Sequence, residues 1–95
     1  MKRRVRFRVG GRVQGVGFRA SAQDEAASLR VCGFIRNVSS HSLSGEVEGV
    51  AEGEASAVDA FVAWCNHGPP GARVDFCQVE DEDYAGELVR FEIRR

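Results

Sequence analysis

"RVRFRVGGRVQGVGFRASA", residues 4 to 22, carries two hydrophobic periods with a glycine-rich break between them. Before the break, Val5, Phe7 and Val9 alternate with Arg4, Arg6 and Arg8, the pattern of a half-buried strand. After it, Phe18, Ala22, Ala26 and Leu29 recur at helical spacing, which predicts an amphipathic helix of about three turns. The break itself, "GRVQGVGFR" at 11 to 19, holds three glycines just ahead of the helix. Glycine loses more backbone freedom on folding than any other residue, so this composition is unfavourable unless something else requires it.

A loop of main-chain amides running into a helix N-terminus can hold an anion. The first amides of a helix have no internal partner, and the helix dipole adds positive potential there. Gly15 and Gly17 allow successive N–H groups to curl inward as a nest. Arg19 falls in the first helical turn, where a cation is unfavourable by itself. A phosphoryl group bound between loop and guanidinium reverses that sign, because the planar donors of arginine suit phosphate oxygens. Glycine-rich turns before helices are common, and on spacing alone a phosphate site and an ordinary turn both remain open.

Further along, "VCGFIRNV" (31–38) reads as a second strand, "SSHSLSG" as a turn and "EVEGV" (46–50) as a third strand. Val58, Phe61, Val62 and Cys65 form the apolar stripe of a second helix beginning near Glu54, and "NHGPPG" ends it. "ARVDFCQVE" is a fourth strand, "DEDYAGE" a turn, and "LVRFEIRR" a last strand with Val89, Phe91 and Ile93 on one side. The order is β-α-β-β-α-β with a short extra strand. That is the α+β, ferredoxin-like arrangement, an antiparallel sheet with two helices on one face, and residues 1–95 are expected to form a single domain.

Thirteen basic and fourteen acidic residues give a net charge of -1, so no overall field favours nucleic acid or an anionic membrane. The basic start "KRRVRFR" has a structural explanation. With the first and third strands adjacent, Arg4, Arg6 and Arg8 are expected to face Glu46 and Glu48 across the open side of the sheet. No apolar run approaches a membrane span and no signal-peptide pattern is present, which points to a cytoplasmic protein. Cys32, Cys65 and Cys77 form no metal-binding or disulfide pattern and read as buried, inert thiols; His41 and His67 lack metal-ligand spacing, and no metal is expected.

"GRVQGVGFR", followed by "GFIRN", "GEVEGVAEG" and "GPPGARVD", resembles the acylphosphatase family along nearly the whole chain. The resemblance implies hydrolysis of carboxyl-phosphate anhydrides to a carboxylate and inorganic phosphate, without a metal or other cofactor. By position it makes Arg19 the phosphate-binding arginine and Asn37 the residue that orients the attacking water. Gly15, Val16, Gly17 and Phe18 would supply backbone amides. The partner is then a small acyl phosphate, with inorganic phosphate as product and inhibitor, and no nucleic acid or membrane.

Two departures from the family pattern stand out. The connection "NVSSHSLSGEVEG" is about four residues longer than usual, by resemblance, and places His41 near Asn37 as a surface residue or a supplementary phosphate contact. "LRV" replaces a glycine after the first helix, so Arg30 must adopt a conformation that favours glycine. Two other readings compete with this one. One is a non-catalytic module like the front domain of carbamoyl-phosphate-handling proteins that mature hydrogenases. The other is an RNA binder that stacks bases on exposed strand aromatics, which the sharing of one apolar face by Phe7 and Phe91 disfavours.

Overall fold

In the computed structural model, residues 1–38 and 45–95 are described. The elements are β1 (Lys2–Arg12), α1 (Phe18–Leu29), β2 (Cys32–Val38), β3 (Gly45–Glu54), α2 (Ala55–Cys65), β4 (Arg73–Glu82) and β5 (Phe91–Arg94). They form one five-stranded sheet in the order β4-β1-β3-β2-β5. Strand β1 lies centrally, antiparallel to β3 and β4, and β2 runs antiparallel to β3.

The ferredoxin-like order holds, with one correction to the expected antiparallel sheet. The short β5 pairs parallel with β2, matching Gly33 with Phe91 and Ile35 with Ile93. The last strand is also shorter than its alternation implied. Phe91 is buried, but Val89 lies before the strand and is 85% exposed.

Both apolar stripes meet one face of the sheet. Val5, Phe7 and Val9 of β1 are buried with Phe18, Ala22 and Ala26 of α1 and Val58, Phe61 and Cys65 of α2. Phe61 contacts Phe7 edge-on, with ring centroids 5.5 Å apart, and Phe91 at 5.3 Å. Phe7 and Phe91 are therefore core residues, unavailable for base stacking. Of the cysteines, Cys65 is fully buried and burial pushes its thiol well up, whereas Cys32 and Cys77 are only half-buried.

The opposite face carries the arginines, with partners that differ in part from those expected. Arg8 does meet Glu46, its Nε donating at 2.7 Å. Glu48, however, accepts from Arg36 at 2.9 Å, and Arg4 and Arg6 both donate to Glu82 on β4, at 3.1 and 2.8 Å. Arg4 also reaches Glu52, which is almost wholly buried. Hydrogen bonds from Arg6 and then Arg4 hold the Glu82 carboxyl below its ordinary range. Phe34 lies on this side as well, with the Arg94 guanidinium 4.1 Å from its ring centroid.

Candidate active site

At the entry to α1 the chain leaves β1 and turns through Gly15 and Gly17, with φ of 76° and 75°. Val16 and Phe18 are not left-handed, so positive and negative φ alternate into the helix, as a nest of amides requires. A Cβ on Gly15 or Gly17 would meet nothing within 4 Å. Packing does not call for glycine here; backbone conformation does. Gly17 occupies the N-cap position without a side-chain cap, and no acidic residue lies in the first turn.

The helix therefore starts with unsatisfied donors. The first amide to close is Ser21 N–H, on the Gly17 carbonyl at 2.9 Å. Among the described residues, the amides of residues 15 to 20 have no hydrogen-bond acceptor. Phe18 fixes this end of the helix from below. It is 1% exposed and lies 5.2 Å from the Trp64 ring, against Gly68. Gln23 on the same helix donates to the Phe91 carbonyl at 3.1 Å, which ties α1 to β5.

The amide loop opens onto a cleft of about 240 Å³ lined by Val13, Gln14, Gly15, Gly17, Phe18, Arg19, Ala20, Asn37 and Ile93. Arg19 is partly exposed and forms no ion pair among the described residues. Asn37, near the end of β2, follows the buried Ile35 on the helix-bearing side and emerges exposed at the edge of the core. Arg19 and Asn37, 18 positions apart in the sequence, are thus brought to one cleft with the amide loop. Ile93, expected in the core, is 39% exposed and forms part of the wall.

Gln14, inside the loop motif, makes contacts that its sequence position does not foretell. Its amide nitrogen donates to the Val38 carbonyl at 3.4 Å and to the Glu46 carbonyl at 3.1 Å. A glutamine beside a positive-φ glycine was the only sequence signal, and nothing local says that its acceptors lie on β2 and β3. His41, read as a surface residue or a supplementary phosphate contact, lies outside the described residues. Among the described residues, no group of three or more His, Cys, Asp or Glu side chains stands close enough to hold a metal ion. No helix there is long and apolar enough to cross a membrane.

Among the described residues, a two-helix, ferredoxin-like fold thus brings an open amide loop, an arginine without an ion pair and a strand-end asparagine to one cleft, the layout of a small α+β protein with a candidate anion site. Comparison with known proteins names the family. The acylphosphatase family model matches residues 5–93. An acylphosphatase of Anaeromyxobacter dehalogenans is 54% identical over 96% of this chain and 94% of its own. The crystal structure of acylphosphatase from Bacillus subtilis superposes with a TM-score of 0.89 at 35% identity, covering all of both chains. Full-length HypF, in a phosphate- and nucleotide-bound form, aligns at a TM-score of 0.85 and 27% identity, but only 12% of that chain is covered. The chain belongs to the acylphosphatase family and is a hydrolase of acyl phosphates.

Proposed function

We propose that this cleft carries the hydrolysis, with the amides of Gly15, Val16, Gly17 and Phe18 and the guanidinium of Arg19 holding the phosphoryl group. Asn37 orients the attacking water. The observation that supports this reading is the run of amides at 15 to 20 that, among the described residues, have no acceptor and lie beside both side chains. A tetrahedral oxyanion satisfies those donors and offsets the cation in the first turn.

The chemistry asks little more of the protein. A carboxylate is a good leaving group, so the barrier is lowered mainly by placing water in line and stabilising charge on the equatorial oxygens. Loop and arginine do the second electrostatically, in a geometry set before substrate arrives. The amide oxygen of Asn37 accepts a hydrogen bond from water and aims its lone pair at phosphorus. The P–O bond to the acyl group breaks, the carboxylate leaves with the electron pair, and the water's proton passes to a phosphate oxygen. No metal or organic cofactor enters this scheme, and orthophosphate, as product, inhibits competitively.

Arg19→Ala and Asn37→Ala, assayed on benzoyl phosphate, are each expected to lose at least about 10²-fold in kcat, the scale of one lost oxyanion donor. Arg19→Lys fails similarly, because an ammonium lacks the fork. Near-normal turnover in either folded alanine variant rules the assignment out. An amide side chain does not titrate, so kcat, corrected for substrate ionisation, stays flat between about pH 5 and 8.

A further inference from the structure

We propose that Gln14 is a positioning residue for this reaction, holding the phosphate loop at a set distance from the strand that carries Asn37. The inference rests on the reading of Arg19 and Asn37 given above. Gln14 immediately precedes Gly15, and its side-chain NH2 has two hydrogens. The two acceptors are the carbonyl of Val38, next to Asn37 on β2, and that of Glu46, near the start of β3. One amide thus spans the two ends of the β2–β3 connection and anchors both to the loop. The Glu46 contact is the shorter, and the Val38 contact is near the limit for a hydrogen bond.

A second observation concerns the space that the side chain fills. A Cβ at Gly45, the first residue of β3, would lie 2.6 Å from Gln14 Cγ and 2.7 Å from Cδ. Gly45 is therefore the clearance that lets Gln14 lie across the strand. Hydrogen bonds and clearance agree on one placement. In-line attack is sensitive to displacements on the order of 1 Å between water and phosphorus. Loop and Asn37 belong to different elements, and Gln14 is the direct polar link between their backbones among the described residues.

The test uses Gln14→Met, which keeps length and removes the donor, and Gly45→Ala, which pushes the native glutamine aside. In each folded variant kcat for benzoyl phosphate should fall on the order of tenfold, while the inhibition constant of orthophosphate changes by less than about twofold, because the amide cradle is intact. In an Asn37→Ala background, Gln14→Met should change the residual kcat by less than about twofold, since the two act as a unit. Gly45→Ala alone decides the question if Gln14→Met does not fold. Unchanged kcat in a folded variant, or the same fractional loss with and without Asn37, overturns the positioning role. Full turnover in Asn37→Ala alone instead overturns the reading beneath it, and this inference with it.

Discussion

The two ends of helix α1 both depend on a left-handed residue, and they are finished in opposite ways. At the start, Gly17 has φ 75° and ψ 22°, and the amides of residues 18 to 20 have no acceptor among the described residues. At the exit, Arg30 has φ 60° and ψ 38°, and the Ala26 and Ala27 carbonyls are both capped. Arg30 N–H donates to the Ala27 carbonyl at 3.2 Å and Val31 N–H to the Ala26 carbonyl at 2.8 Å, the paired bonds of a Schellman ending. Val31 and Ala26 are both buried in the one core cluster, as the apolar pair of that motif usually is. The exit is capped despite a residue poorly suited to it; the entry is built of well-suited residues and, among the described residues, is left uncapped. An end closed by the protein serves stability; an end left open serves binding in the function proposed above.

This contrast can be broken from either side. The largest effect is expected at the anchor beneath the entry. Phe18→Ala should cost about 3–5 kcal/mol in urea unfolding, as for other fully buried aromatics, and should loosen the loop that rests on it. Gly17→Ala places a methyl into open space but forces φ 75° on an L-residue, so about 1–2 kcal/mol of stability should be lost. Orthophosphate inhibition should weaken in the same variant, whereas an entry that served only as a turn would keep it.

Arg30→Gly tests the other end with the opposite sign. It should stabilise the protein by about 1 kcal/mol, raising Tm by about 4–8 °C for a domain of this size, without altering kcat. A fall in Tm would mean that the arginine side chain contributes more than its conformation costs.

The smallest effect belongs to the open face of the sheet. The Glu82 carboxyl is lowered in the folded state, so its contribution is complete above the ordinary carboxylate range and is lost as pH falls through the folded value. Glu82→Gln should lower stability by under about 1 kcal/mol near neutrality, the range of solvent-screened ion pairs. The difference from the parent should vanish in acid, as read from Tm against pH.

Sequence and structure agree most closely where the pattern is local. The alternation through Val5, Phe7 and Val9, the helical spacing from Phe18 to Ala26, and the strain at Arg30 are each contained in a few consecutive residues. The arginine partners were legible only in kind. Opposite charges on one face require pairing, but Glu82, rather than Glu48, serves Arg6 because β4 flanks β1 on its other edge. The last strand also departs from its pattern. Val89, Phe91 and Ile93 alternate correctly, yet β5 is an edge strand of four residues and only Phe91 reaches the core.

The chain order alone therefore specified the element types, the glycine loop at a helix start and the reaction family implied by its motif. Folding in three dimensions decided the rest: the parallel docking of β5, the exposure of Ile93 in the cleft, and the link from Gln14 to residues 24 and 32 positions away. The division has a physical cause. Hydrophobic period and backbone preference act between near neighbours, whereas strand order, register and the meeting of loop ends depend on which distant surfaces share one core.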